Sequence, residues 1–417
     1  MSGTLIVGAS QAGVQLAVSL REGGDREPIT LVGAESRPPY QRPPLSKAFL
    51  LGTADDTSLA FRTPDFYAER GIDVVAGERV ETLTLAAGPS ASGTATTVRG
   101  RTLGFDRLAL TVGARPRRLA VPGTDLDGVH HLRDVEDAAR IRRDLASASA
   151  VVVVGGGFIG LEAAAVARAQ GRVVTVVEAA DRLIPRSVAP VVSEFYRRAH
   201  ERRGTVVRLG AAVRALSGEG GRVRGVVLDD DTRLAADLVL VGIGIVPRTE
   251  LAEAIGLACD GGIVVDRYAC TSRDGVVAAG DCTVAPHPLT GEGRVRLESV
   301  QNAVSQARTA AATLAGRPPP AAEVPWFWSD QFDLKLQIAG LAAGHDEVVV
   351  RGDPATERFS VLYYRDGSLL AVDAVNVPAD YLTVRKALAT GVAIAAEDAR
   401  RPDRSLKELL APRPTLR

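Results

Sequence analysis

Two short stretches carry small residues at the spacing a diphosphate needs. The first runs Gly8-Ala9-Ser10-Gln11-Ala12-Gly13 and the second Gly155-Gly156-Gly157-Phe158-Ile159-Gly160. A diphosphate is best met by free backbone N–H groups at a helix N-terminus, where the helix dipole is positive. In the G-x-G-x-x-G pattern the first glycine makes the tight turn, the second allows close approach and the third lets helix pack on strand. Gly8, Ser10 and Gly13 take these places in the first stretch, and Gly155, Gly157 and Gly160 in the second. Ser10 departs from the pattern, although a serine is small and its hydroxyl can itself donate to phosphate. A lone copy is weak evidence, because glycine-rich turns occur throughout α/β proteins. Here each copy is followed, about twenty residues on, by an acid suited to a ribose diol. These acids are Glu35 and Glu178.

The elements that must position these residues recur in the same order. Residues 5–7 read as a strand, a helix follows to Leu20, and Ile29–Val32 reads as the next strand. Residues 151–154 read as a strand, a helix runs through Glu162 to about Ala169, and residues 173–177 read as a strand. Each is a βαβ unit and implies a parallel sheet. Around Pro318, Pro319 and Pro320 the composition shifts to Pro and Ala, which marks a boundary. Beyond it come Trp326 and Trp328, then strand-like runs at 347–350, 359–364 and 369–372, with a turn at Asp366-Gly367. This predicts a small α+β C-terminal domain with an antiparallel sheet. The charged end, 400–417, holds three prolines and is expected on the surface or frayed.

The bulk numbers exclude several classes. The chain has 417 residues, 46% hydrophobic and 24% charged, as a globular protein with a real core does. Lys+Arg and Asp+Glu balance at 50 each, so no global field draws nucleic acid or an anionic membrane. No signal-peptide pattern opens the sequence, and the most apolar stretch, 148–161, is broken by glycines; a cytoplasmic location without a membrane span is expected. Cys259, Cys270 and Cys282 form no Cys-x-x-Cys pair and read as small buried hydrophobes in a reducing compartment. The five histidines show no metal-ligand spacing, and His130-His131 would point to opposite faces of a strand, so no metal is assigned. Glu178 bears on cofactor choice: a carboxylate accepts from a free 2′-hydroxyl and repels a 2′-phosphate, favouring NADH over NADPH. Arg182, four residues on, softens that preference.

Further strings carry a resemblance. Residues 110–116, Leu-Thr-Val-Gly-Ala-Arg-Pro, look like the ATG-type segment of flavoproteins that bind two dinucleotides. Residues 276–281, Val-Val-Ala-Ala-Gly-Asp, look like their second FAD motif, and 239–247, with Gly242 and Gly244, like the strand returning the chain to the FAD domain. The fold this implies is α/β and glutathione-reductase-like. It has two Rossmann-like domains, an FAD domain (1–114 and 245–320) interrupted by an NAD domain (115–244), plus the C-terminal domain (321–417). Residues 39–47 (Pro-Tyr-Gln-Arg-Pro-Pro-Leu-Ser-Lys), 296–303 (Arg-Leu-Glu-Ser-Val-Gln-Asn-Ala) and 324–331 (Val-Pro-Trp-Phe-Trp-Ser-Asp-Gln) resemble the oxygenase-coupled NADH-dependent ferredoxin reductases.

That resemblance implies FAD contacts from Ala12, Glu35, Arg42, Lys47, Val80, Arg133, Asp281, Val300 and Trp328, besides Gly8, Ser10 and Gly13. It implies NAD(H) contacts from Gly155, Gly157, Ile159, Gly160, Glu162, Glu178 and Gly244. Ala34 stands where related members carry an acid, leaving Glu35 alone for the ribose. Three residues are catalytic candidates: Lys47 near the flavin, Glu162 paired with it and placing the nicotinamide, and Trp328 beside the ring system. The partner implied is an iron–sulfur ferredoxin, of 2Fe-2S type, that feeds a P450 or a Rieske-type ring-hydroxylating oxygenase. Its usual acidity leads us to expect a basic patch near the flavin edge; residues 115–118 either contribute to it or form an ordinary solvated charged face. No cysteine precedes Cys259, so a thiol route out of the flavin in the first domain is closed. An NADH oxidase or small-acceptor reductase, and a redox-sensing protein resembling apoptosis-inducing factor, remain open alternatives.

Overall fold

The computed structural model describes residues 3–86, 88 and 91–410; the last part of the charged tail, 411–417, lies outside the described residues. The chain divides into two compact units. The first comprises the residues up to Gln41, Asp56–Arg115 and Ile245–Pro325; the second comprises Arg42–Asp55, Pro116–Gly244 and the residues from Trp326.

The first unit is built on a five-stranded parallel sheet in the order Val276–Ala278, Arg107–Leu110, Thr4–Val7, Ile29–Val32, Ile72–Val75. Its central strands are covered on both faces, which is why they read as unbroken apolar runs rather than alternating ones. Helix Gln11–Glu22 buries Val14, Leu16, Ala17 and Leu20 against one face. Helix Val300–Leu314 packs beside it through Ala303, Ala307, Ala310 and Ala311, small residues that let two helices approach. The antiparallel strands Val80–Leu85, Gly93–Thr97 and Thr102–Phe105 join a second core with Leu5, Leu108 and Phe105. The first helix starts at Gln11, not after Gly13: the amides of its first turn belong to the glycine stretch itself.

The second unit repeats the pattern. Its parallel sheet has the order Thr205–Leu209, Val173–Glu178, Ala150–Val154, Leu238–Val241, Val129–His130. Helix Phe158–Ala169 is apolar almost all round and is buried along most of its length. The expected continuous return strand over 239–247 is two strands, Leu238–Val241 and Ile245–Pro247, broken where Gly244 takes a φ of 99°. The strand Val129–His130 ends before His131, and His130 instead pairs with Asp144 at 2.6 Å.

The C-terminal part of this unit is a five-stranded antiparallel sheet in the order Trp326–Gln331, Leu334–Gly340, Ser368–Val375, Arg358–Arg365, Glu347–Asp353. The Asp366-Gly367 turn joins two of these strands with both residues at positive φ (48° and 72°), the geometry that matches strand twist. Helix Pro378–Thr390 covers one face. Among the described residues, no helix is long and apolar enough to cross a membrane.

This sheet holds a buried carboxyl. Asp373 is fully buried, the Tyr363 hydroxyl donates to it, and that hydroxyl accepts from the Ala189 N–H at 2.8 Å. Burial pushes the Asp373 carboxyl up to about 7, against the opposing effect of the Tyr363 hydrogen bond. The folded state therefore holds the proton more tightly than the unfolded chain. The stability this adds is full below the unfolded carboxyl value, declines as pH rises, and is lost on passing about 7. Asp373→Asn, which stays neutral, should flatten this dependence. Thermal unfolding at pH 5 and pH 8 should show the variant gaining on the parent by on the order of 1–3 kcal/mol at the higher pH. An equal difference at both pH values would show that Asp373 does not titrate.

Candidate dinucleotide-binding sites

The two glycine turns are superimposable in logic. Gly8 and Gly155 leave their strands at φ 118° and 109°, which a residue with a side chain rarely adopts. Where each helix begins, the third small residue meets the carbonyl oxygen of the first. A Cβ on Gly13 would lie 2.0 Å from Gly8 O, and one on Gly160 would lie 2.2 Å from Gly155 O. Helix can approach strand this closely only without side chains.

The middle position differs. Gly157 has φ −82°, and a Cβ there would meet nothing within 4 Å. Its glycine is not needed by the chain's own packing, so the open space fits a ligand lying against the loop. Ser10 caps the other helix at φ −123°, ψ −157°, extended backbone open to any residue. The serine therefore replaces glycine there without backbone strain.

Glu178 ends its strand beside the second turn. Its Oε2 accepts from Gly156 N–H at 2.6 Å and its Oε1 from Ala180 N–H at 2.8 Å. Two amides fix the carboxylate against the glycine loop, where each oxygen keeps a lone pair for a ribose hydroxyl. Arg182, expected to soften the preference for NADH, is held in place by neutral acceptors. Its guanidinium is committed to Val188 O (2.8 Å), Ser193 Oγ (2.9 Å) and Pro185 O (2.5 Å), tying down the loop after the strand. Ile159 lies in the first turn of the helix with 47% of its surface exposed, and Gly244 O accepts from Arg117 N–H at 2.9 Å.

In the first unit, Glu35 accepts from the Tyr40 hydroxyl. Ala12 and Val80 are buried, and Asp281 is half-buried. Val300 is the first residue of its helix, capped by Ser299 Oγ, which accepts from Asn302 N–H at 3.1 Å. Two further residues organise this unit. Thr111 Oγ1 donates to Gly8 O at 2.8 Å and so ties the ATG-like segment to the glycine turn. Gln306 Oε1 accepts from Gly280 N–H and from Thr283 Oγ1, both at 2.8 Å, fixing the turn that carries Asp281.

Arg42, Lys47, Arg133 and Trp328 belong to the second unit. Arg42 Nη1 donates to Arg133 O at 2.6 Å. Trp328 is half-buried and lies against Trp326, ring centroids 5.5 Å apart. Lys47 Nζ meets Glu162 Oε2 at 2.7 Å. Glu162 is only 2% exposed, and its other partners went unread in the sequence: Ser46 Oγ donates to Oε2 at 2.5 Å and Ser329 Oγ to Oε1 at 2.7 Å. Both serines lie inside strings that carry the family resemblance, which was the available signal. None of the three cysteines is poised as a thiolate: burial raises all three, Cys282 to about 12.

The two roles of the small residues separate by substitution. Gly160→Ala should cost on the order of 1–3 kcal/mol in thermal unfolding, because its methyl overlaps a carbonyl. Gly157→Val should unfold like the parent yet lose about tenfold or more in dinucleotide affinity by titration calorimetry. Retained affinity in Gly157→Val would mean that the open space is not ligand space.

Comparison with known proteins accords with this geometry. Residues 3–307 match the family model described as pyridine nucleotide-disulphide oxidoreductase, and residues 326–410 the one described as reductase C-terminal. Rhodocoxin reductase of Rhodococcus erythropolis is 45% identical over 408 residues, 98% of this chain and 94% of that protein. The ferredoxin reductase for the CYP199A2 system from Rhodopseudomonas palustris matches with a TM-score of 0.93 at 40% identity, over 99% of this chain and 100% of that one. The covalent putidaredoxin reductase–putidaredoxin complex gives a TM-score of 0.93 at 39% identity, over 98% of each chain. Fold, paired glycine turns and sequence agree: the chain belongs to the pyridine nucleotide-disulphide oxidoreductase family and, within it, to the ferredoxin reductases that end in a reductase C-terminal domain.

Proposed function

We propose that this protein is an FAD-dependent NADH:ferredoxin oxidoreductase that passes electrons to an iron–sulfur ferredoxin serving a P450 or a ring-hydroxylating oxygenase. The observation that carries the reading is the pairing of two glycine turns with the Lys47–Glu162 ion pair at 2.7 Å. A rhodocoxin reductase and a ferredoxin reductase for the CYP199A2 system match over nearly the whole chain, which supports the reading. We further propose that the FAD and NAD domains and the C-terminal domain divide at 114/115, 244/245 and 320/321, and that the protein works in the cytoplasm.

FAD, when bound, accepts two electrons together and can release them one at a time. Its diphosphate is assigned to the Gly8–Gly13 turn, with Glu35, Asp281 and Val300 as further contacts; Arg42, Lys47, Val80, Arg133 and Trp328 are assigned to it by resemblance. NADH is assigned to the Gly155–Gly160 turn with Ile159, Glu162, Glu178 and Gly244. Glu178 accepts from the ribose 2′-hydroxyl, and its charge disfavours a phosphate there. Arg182 is oriented by the neutral acceptors Val188 O, Ser193 Oγ and Pro185 O, which hold its guanidinium on the loop after the strand. Lys47 supplies a positive charge held in place by Glu162, which favours the reduced, anionic state of a neighbouring group. With no low-pKa thiol in the chain, the electrons leave to an external acceptor.

Stopped-flow reduction of the bound flavin by NADH tests the assignment. Lys47→Ala should slow it about tenfold or more, equivalent to roughly 1.4 kcal/mol of barrier. Wild-type rates in this variant would remove Lys47 from the catalytic machinery. In steady state, cytochrome c reduction should need added ferredoxin and fall as salt screens the charged encounter. Equal turnover without ferredoxin would point to an oxidase or small-acceptor reductase instead.

A further inference from the structure

The buried end of the Lys47–Glu162 pair continues into a chain of side chains that no part of the proposed reaction uses. His200 Nε2 lies 2.9 Å from Gln331 Oε1, Gln331 Nε2 lies 3.2 Å from Ser329 Oγ, and Ser329 Oγ lies 2.7 Å from Glu162 Oε1. His200, Ser329 and Gln331 have no exposed surface. They come from helix Pro190–Arg202 and strand Trp326–Gln331, and all belong to the second unit with Lys47 and Glu162.

The direction of this chain follows from one unpaired atom. Among the described residues His200 Nδ1 has no hydrogen-bond partner. A buried donor without a partner is more costly than an unused acceptor, so the ring carries its hydrogen on Nε2. Burial first, then the Arg203 charge, lowers His200 to about 4 against the opposing Gln331 hydrogen bond, so the ring is neutral at physiological pH. The Nε2–H then donates to Gln331 Oε1, which fixes the orientation of the amide. The amide N–H donates to Ser329, and the serine hydroxyl is left with Glu162 as its acceptor. Every donor points one way, towards the carboxylate. If Glu162 took a proton on Oε1, the serine hydroxyl hydrogen would face the hydroxyl oxygen of a carboxylic acid, a far weaker acceptor than a carboxylate and itself a donor.

We propose that Ser329 and Gln331, oriented by neutral His200, are positioning residues that hold Glu162 in its acceptor-only, charged form against Lys47. The C-terminal strand thereby sets the charge state of the ion pair. Lys47 is in contact with Glu162, and at the Tyr196 phenol, on the same helix as His200, the charge of Glu162 acts together with those of Asp373, Asp330 and Glu357. The Tyr196 phenol stays protonated, because burial and then Asp373, Asp330, Glu162 and Glu357 all push it up. Lys47, with Nζ at 2.7 Å from Oε2, is the cation in contact with Glu162.

The effect on flavin reduction rests on the proposed function; the effect on the carboxyl does not. In the holoprotein, infrared difference spectra against Glu162→Gln should report the protonation of Glu162 as pH is lowered. Ser329→Ala and Gln331→Met, which keep approximate volume, should let Glu162 protonate at higher pH than in the parent. Ser329→Thr, which keeps the hydroxyl, should restore parental behaviour. In stopped-flow reduction by NADH, the acidic limb of the rate profile should move towards neutrality in the first two variants by about tenfold in proton concentration, and stay in the third. Unchanged carboxyl titration in folded Ser329→Ala and Gln331→Met would overturn the proposal, even with normal reduction by NADH. Conversely, shifted carboxyl titration in a protein that NADH does not reduce would uphold the relay and sink the proposed function.

Discussion

A carboxylate cannot be left bare inside a protein, and the second unit is arranged around one. Glu162 sits on helix Phe158–Ala169 among Leu161, Ala163, Ala164 and Ala165, all buried. Stripping such an ion of water costs several kcal/mol unless donors replace the water. Here the donors come from Ser46 and Lys47 on one side and Ser329 on the other, separated from Glu162 by more than a hundred residues of sequence. To meet that single group, the segment Arg42–Asp55 and the C-terminal sheet must both lie on the same helix. This accounts for a division of the chain that its order does not suggest: Arg42–Asp55 interrupts the first unit yet packs with the second. Apolar residues of equal volume would often give a fold at least as stable. Stability is therefore a poor reason for keeping a buried ion pair.

The glycine turns obey a different constraint, and a local one. The contact that forbids a side chain on Gly13 is with Gly8 O, and that on Gly160 with Gly155 O. Both partners lie within six residues, so the sequence displays the whole requirement. The same holds for the strands on either side. Residues 151–154 are four valines, buried on both faces of a parallel sheet, and their continuous apolar run shows it. The Asp366-Gly367 hairpin is legible for the same reason, since its two positive φ values are set by the turn itself. The doubt over Ser10 dissolves once its backbone is seen to be extended.

What the sequence hides is whatever depends on a partner far along the chain. Glu162 could be read as an acid on a helix, but its near-complete burial follows from Ser46 and Ser329, which nothing local connects to it. His200 shows no metal-like spacing, and its place in a buried chain of polar side chains appears only when Gln331 is brought to 2.9 Å. Arg182 reads as a charge free to swing until Val188, Ser193 and Pro185 are seen to hold it by three hydrogen bonds. The break at Gly244 is hidden in another way: residues 239–247 keep strand-like composition across it, and glycine alone does not announce which φ it takes.

The contrast between the cysteines and the ion pair bears on where electrons can go. A thiol that stores electrons must ionise readily, which needs exposure or a positive neighbour. Cys282 has neither advantage: its Sγ lies 3.4 Å from Ala279 O and 3.7 Å from Leu110 O, packed as a small hydrophobe beside the parallel sheet. Cys259 and Cys270 are raised by burial and then by neighbouring acids, the reverse of activation. Lys47 and Glu162 can fix and stabilise charge but cannot be reduced. A chain that fixes charge without a thiol to store electrons must hand them to something outside itself.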